Sequence, residues 1–386
     1  MRMNIADSAV YKTLNLDGFK LNLNCMWILY RTRPDVWVII APAMSWKFLP
    51  QITPLLGIDL GTSRTRIWYQ GRGVVVDQPT VIATDTRTKK VIAVGQDAAE
   101  MEGRVQSQIN LHHPVKHGKI FDASTVKAML QIWLQQVLGL KYLLSPIVMV
   151  SVPAGCTQAS RQAVIKTLYQ LGAREVYTIA QPLAAAIGSG VPIADASGTL
   201  VFHLGAGVVE AGVISLGSLV RHQSSESAGN HLDKILQKKI LNQYRVRLSL
   251  ETIRQLKHKL PLLNPTNQSS TVVGRSMNGR APREIEIKTT DLTKETTQIV
   301  AEYGKLLESV LAEIYPELTA DILDKGMLLS GEFAQLIGLD SWLADKLRVP
   351  TAVVENPGMV VIEGIKTALE NLDDFKQSFG YREATE

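Results

Sequence analysis

Two glycine-bearing turns constrain this chain more than any other feature, because each closes an apolar strand onto a following one. The first is Leu55-Leu56-Gly57-Ile58-Asp59-Leu60-Gly61-Thr62 and the second is Val201-Phe202-His203-Leu204-Gly205-Ala206-Gly207-Val208-Val209-Glu210. Such a turn offers backbone N–H groups to a phosphate, while a carboxylate at the strand end can hold a hydrated metal ion. In the second turn His203 stands where that carboxylate is expected. The repeat predicts two related domains facing each other across a cleft, with one half of a phosphate clamp intact and the other altered.

Length and composition agree with this reading. A chain of 386 residues is enough for about two domains at ~100–200 residues each. Net charge is +5 and no Lys/Arg run occurs, so a nucleic-acid footprint is absent and only a weak attraction to anionic headgroups remains. Cys25 and Cys156 are the only cysteines, which excludes a disulfide framework and a cysteine-based metal site and fits a reducing cytoplasm.

The first 43 residues read differently from the rest. Their apolar runs, Cys25–Tyr30 and Val36–Ala43, are separated by Arg31, Arg33 and Asp35. Neither approaches the ~20 residues needed to cross a bilayer, and their order is not that of a signal peptide. The expectation is a start at Met44, with residues 1–43 an upstream extension from gene-start assignment. Trp46, Phe48 and Leu49 would then form a short amphipathic start able to touch a membrane surface.

Downstream, Ile67–Tyr69 and Val74–Val76 around Gly71-Arg72-Gly73 read as a hairpin, followed by a strand at Thr80–Ala83. Val126, Met129, Leu130, Trp133, Leu134 and Val137 mark a helix over Asp122–Leu138. Ile147–Val152 reads as a buried strand, Thr157–Leu171 as a helix stopped by Gly172, and Glu175–Ile179 as a strand before a small-residue helix from Pro182 to Ile187. The strand–turn–strand design recurs at Gly198–Leu204 and Glu210–Ser215. Leu263–Asp291, with Asn278-Gly279 as a turn, reads as a small inserted β subdomain. A long helix over Thr297–Ile314 and a last strand and turn at Gly326–Gly331 complete the pattern.

With these residues in view the chain resembles the actin-like ATPases, and within them the MreB family. The resemblance runs from about Leu56 to Leu372. It is carried by Gly57–Thr62, Val94–Met101, Gly172–Tyr177, Pro182–Gly188, Val213–Gly217 and Pro316–Ile322 in family order. It implies an α/β fold of two duplicated lobes, four subdomains in all, around a nucleotide cleft. Lobe I would comprise residues 44–192 and 362–386, with a small subdomain at about 80–121. Lobe II would comprise residues 193–361, with a small subdomain inserted at about 232–298. The implied activity is that of an ATP-binding subunit of membrane-bound filaments that guide wall synthesis in rod-shaped cells.

The resemblance also assigns the site. Asp59 would hold magnesium through water, while Thr62, Ser63 and Arg64 beside Gly61 line the phosphates. Arg64 replaces the family's Asn, and either donates to a phosphate or points to solvent. In the second turn the family reads Asp-x-Gly-Gly-Gly-Thr-Thr-Glu. Here His203 replaces the Asp, Ala206 a Gly, and Val208 and Val209 the two Thr, while Gly205, Gly207 and Glu210 persist. An imidazole does not hold a hard cation's water shell as a carboxylate does, which leaves magnesium open while ATP remains the implied ligand. One further expectation is that Arg64 and His203 together neutralise phosphate in place of the metal. The family's water-orienting Glu aligns with Ser160, which is no base at neutral pH, a loss worth typically ~10²–10⁴ in rate. Nearby Gln158 is the residue that would orient water in its place. Glu251 and Arg254 match a Glu-x-x-Lys that contacts the nucleoside, or else form an ordinary surface pair. Gly331 and Glu332 lie where the family has a glycine run against the base, so Glu332 and Phe333 would crowd that pocket.

Leu143 and Leu144 match a loop that dips into the membrane in the family, or else pack on the following strand. The implied partners are further copies of the chain or an intact MreB paralogue, the inner face of the cell membrane and the wall-elongation machinery, with no nucleic acid. The alternative is a non-polymerising scaffold or regulator on the same fold. On either reading the chain is at most a weak ATPase.

Overall fold

The computed structural model describes residues 53–104, 108–139, 145–264, 266–277 and 281–378, together with four short strands nearer the N-terminus. Trp46, Phe48, Leu49, Leu143, Leu144, Asn278 and Gly279 lie outside the described residues. Contacts divide the chain into Met1–Thr53 and Pro54–Glu386. In the first unit Asn15–Leu16 pairs antiparallel with Phe19–Lys20, and Ile28–Arg33 with Val36–Ile40.

The second unit contains two five-stranded sheets of the same design. One runs Glu175–Ala180, Ile147–Val152, Leu55–Leu60, Arg64–Tyr69, Gly73–Pro79; the other runs Thr351–Val353, Met327–Ser330, Thr199–Leu204, Val209–Ser215, Ser218–Ser225. In each, an antiparallel meander of three strands continues into two parallel ones. Of the parallel strands, Ile147–Val152 is buried on both faces and, Ser151 apart, is apolar throughout, whereas Thr351–Val353 at the sheet edge is largely exposed. A three-stranded sheet of Ile109–His112, Ile82–Asp85 and Val91–Val94 accompanies the first five-stranded sheet in sequence. Val246–Arg247, Ser269–Ser276 and Pro282–Lys288 form another within the second half.

The helices follow their capping residues. Asp122 accepts from Thr125 N to start Ala123–Leu138, and Thr157 accepts from Ser160 N to start Gln158–Gln170. The long helix begins eight residues before the expected Thr297, spanning Thr289–Ala312. Its first two turns are rich in threonine, and Thr293 and Thr296 bond back to the carbonyls of Thr289 and Leu292. That local pairing satisfies polar groups the sequence pattern reads as loop.

Gln181–Gly188 and Val360–Glu370 pack against each other between the sheets. Their Leu183, Ala184, Ala185, Ile362 and Ile365 share one buried cluster with Trp68 and Met149 of the first sheet and Val201 and Ile214 of the second. The chain leaves the first sheet through one of these helices and returns to it through the other.

Candidate functional site

Both glycine turns close in the same way. Gly61 N donates to the Arg64 carbonyl at 3.1 Å, and Gly205 N to the Val208 carbonyl at 3.0 Å. A Cβ on either glycine would meet that same carbonyl oxygen, at 2.5 Å and 2.7 Å respectively. Only glycine fits a backbone folded back so tightly.

The two turns meet. A Cβ on Gly207 would stand 2.2 Å from Thr62 Oγ1, so backbone of the second turn lies directly against the first. A strap between Val115–Lys116 and Lys119–Ile120 ties both together: Gly118 N donates to Thr62 Oγ1 at 2.9 Å, and His117 Nδ1 donates to the Gly207 carbonyl at 3.1 Å. His117 and Lys119 also face Glu226, each at 3.6 Å. Val208 packs against the strap, because the valines at the former hydroxyl positions are buried. Ala206 is accommodated, and its carbonyl accepts from Asn230 N at 2.8 Å at the start of helix Gly229–Tyr244. Thr62→Val deletes the acceptor that the Gly118 amide needs and is expected to lower stability by about 1–2 kcal/mol. An unchanged urea midpoint for that variant would show that the strap is not held this way.

At the metal end the arrangement departs from the expectation. Asp59 Oδ1 accepts from Ser151 Oγ at 2.7 Å, and its Oδ2 lies 3.7 Å from Arg66 Nη1. Burial pushes the Asp59 carboxyl up from its usual value, against the charge of Arg66 and the Ser151 hydrogen bond. His203 is buried and shares a 3.1 Å hydrogen bond with Ser330 Oγ. Burial first, and then the Arg66 charge, push its pKa down to about 4, so the ring is neutral. Arg64 is partly exposed and pairs with Asp77: its Nε donates to Asp77 Oδ1 at 2.7 Å and its Nη2 to the Asp77 carbonyl at 2.9 Å. The cation that Asp59 and His203 both feel is Arg66, which no sequence motif marks. A hydrated magnesium ion does not fit one carboxylate, a neutral imidazole and a guanidinium. Among the described residues no group of three or more His, Cys, Asp or Glu could hold a metal.

Ser160 serves the helix start, its Oγ 2.9 Å from Thr157 Oγ1, and Gln158 is exposed at the same end. The carboxylate that does reach the loop after Pro153 is Glu210. It is fully buried, its Oε1 accepts from Gly155 N at 3.4 Å, and its Oε2 has no hydrogen-bond partner. Burial pushes its pKa up to about 7.

Glu251 and Arg254 do not pair with each other. Glu251 accepts from Gln255, while Arg254 turns to Asp233 at 3.1 Å and to Asn230 at 3.1 Å. Asp233 also holds buried Lys257 at 2.6 Å, a pair 24 residues apart that no local motif announces. Lys257 Nζ lies 4.6 Å above the Phe333 ring, which packs edge-on against Tyr303. Phe333 is therefore a core side chain, while Glu332 is exposed. Gly331, at φ +85°, donates to the Pro357 carbonyl, and a Cβ there would strike the Leu204 carbonyl oxygen at 2.3 Å.

With this geometry stand the comparisons. A family model described as MreB/Mbl protein matches residues 53–377. The chain belongs to the MreB/Mbl family. It is 34% identical over 321 residues to the cell shape-determining protein Mbl of Bacillus subtilis strain 168, covering 82% of this chain and 96% of that one. It is 33% identical over 334 residues to the cell shape-determining protein MreB of Escherichia coli K12, covering 85% and 96%. The crystal structure of MreB5 of Spiroplasma citri bound to ADP superposes with a TM-score of 0.80 at 26% identity, over 86% of this chain and all of the other. The MamK double helical filament, at 19% identity and a TM-score of 0.69, covers 82% of this chain and 99% of that one and shares the fold alone. The MreB/Mbl fold is thus the actin-like one, two duplicated lobes around a nucleotide cleft. No helix among the described residues is long and apolar enough to cross a membrane.

Proposed function

We propose that the chain is a nucleotide-binding, actin-like cytoskeletal subunit that assembles at the inner face of the cell membrane, serves cell-shape determination and turns ATP over weakly or not at all. The observation that carries this is the clasp of Thr62, Gly207 and the His117–Gly118 strap, kept closed while the hydrolytic position is a serine spent on a helix cap. The similarity to Mbl and MreB, both described as cell shape-determining, supports the cellular role, and the MreB5 structure bound to ADP supports the ligand. The lobe boundaries and the roles of Thr62, Ser63, Gly205 and Gly207 at the phosphates belong to the same reading.

Chemically, the turns bind and exclude water, but nothing at Ser160 removes a proton from an attacking one. Phosphate release is expected to be about 10² slower or more than for an MreB carrying the glutamate. Sedimentation and electron microscopy of the full chain with ATP, with and without anionic vesicles, test assembly. Filaments on vesicles are the expected result. A chain that stays monomeric under all conditions points instead to a scaffold or regulator of an intact paralogue, and phosphate release at the rate of such a paralogue defeats the weak-turnover reading.

A further inference from the structure

The phosphate end of the cleft carries a charge arrangement that neither glycine turn requires. Arg66 is 9% exposed and sits in the middle of strand Arg64–Tyr69, directly across the ladder from Asp59. Its guanidinium approaches Asp59 Oδ2 at 3.7 Å and Asp77 Oδ1 at 3.4 Å, both beyond a good charged hydrogen bond. Its Nε is buried and has no hydrogen-bond partner. Asp77 is already taken, because Arg64 holds the same Oδ1 at 2.7 Å. Arg66 is thus a buried, permanently charged fork that two carboxylates flank at ion-pair distance while its Nε donor stays unused, an arrangement that a further anion would complete.

What it faces is open. Arg64, Arg66, Asp77, Glu332, Asn356 and Gly358 are among the residues lining a cleft of about 310 Å³. On its other side Arg66 neighbours buried Asp59 and the neutral His203, where a divalent cation would need carboxylates on both sides and only one is present. Among the charged residues of the lining, Arg64 and Arg66 balance Asp77 and Glu332.

We propose that the Arg66 guanidinium does the work of the divalent cation in this cleft, so that the chain binds the polyphosphate of a nucleoside di- or triphosphate without metal. Arg66 presents planar paired donors to phosphate oxygens, a geometry that suits guanidinium and that no hydrated ion reproduces. Asp59 and Ser151 then hold the fork in place instead of orienting metal-bound water. The inference rests on the nucleotide-binding reading above and specifies how that site works.

The test is calorimetric titration of the full chain with ADP and with ATP, once in excess EDTA and once in millimolar magnesium. Affinities equal within about threefold in the two buffers are expected. Arg66→Leu is expected to lose at least tenfold in EDTA, while Arg66→Lys, which keeps charge without the fork, loses less. Thermal melts of each variant without nucleotide separate lost binding from lost folding. A second variant, Arg66→Leu with His203→Asp, restores the two-carboxylate arrangement and is expected to bind in magnesium and not in EDTA. Binding by the unaltered chain that requires magnesium overturns the inference and leaves nucleotide binding standing. Absence of binding in both buffers overturns both. Unchanged EDTA affinity in a folded Arg66→Leu variant overturns the role given to this side chain.

Discussion

Replacing Gly364 by alanine is expected to destabilise the protein by about 3 kcal/mol or more, the upper end of what overpacking costs. A Cβ at Gly364 would sit 1.8 Å from the Ala184 carbonyl oxygen, and one at Gly188 would sit 1.9 Å from the Val360 carbonyl oxygen. Helices Gln181–Gly188 and Val360–Glu370 therefore touch backbone to backbone at two reciprocal points. Neither obstacle is a side chain that can swing aside, so the helices must separate. Their separation would open the buried cluster that joins Trp68 and Met149 to Val201 and Ile214. Gly304→Ala is the matched control. It lies inside helix Thr289–Ala312, its nearest neighbour would be Lys346 Cγ at 3.4 Å, and alanine there should gain about 0.5–1 kcal/mol in helix propensity. Urea denaturation of both variants decides the matter: equal midpoints would mean that the close crossing carries no weight.

The second large effect is a dependence on pH that the native protein hides. His203 and Glu210 face each other across the antiparallel ladder, both buried. Glu210 holds its proton to about pH 7, so its contribution is full below the unfolded value of 4.5 and is lost as pH rises to about 7. His203 stays neutral down to about pH 4, so its contribution is present above the unfolded value of 6.5 and is lost as pH falls through that window. Between 4.5 and 6.5 the folded chain has a protonated glutamate and a neutral imidazole, while the unfolded chain has the reverse. The proton counts match and the slopes cancel.

Each single variant removes one of the opposing slopes. Glu210→Gln is expected to lose stability on acidification from pH 6.5 to 4.5, while His203→Asn is expected to lose it on alkalinisation from 4.5 to 7. The full amplitude is roughly 3 kcal/mol in each case, because every tenfold change in proton affinity between folded and unfolded chain is worth about 1.4 kcal/mol. Urea midpoints measured across that range, for the parent and both variants, give the answer. Three parallel profiles would mean that these two groups do not titrate as a compensating pair.

Much of the fold is legible because it is periodic. Ile147–Val152 reads as a buried strand and is one, and the duplicated turns announce the duplicated sheets. The site is legible only where glycine geometry dictates it, as at Gly61 and Gly205. Arg66 escapes because Arg64 and Arg66, two residues apart in Arg64–Tyr69, read as the solvent face of a strand. Counting the register back from the Gly61 turn, with Leu60 opposite Thr65 and Asp59 opposite Arg66, would have placed it in the cleft. Asp233 and Lys257 leave no such trace, since two helices bring them together. Asp291 closes the start of the long helix by accepting from Lys288 N, a signal hidden among polar residues that otherwise suggest a loop.

The His117–Gly118 strap gives the molecule a built-in reporter. One amide, Gly118 N–H, ends on one hairpin while the adjacent imidazole ends on the other, so the amide can meet solvent only after the clamp has parted. Its deuterium uptake therefore counts openings directly, and a ligand that seals the clamp should slow that clock without any label being added.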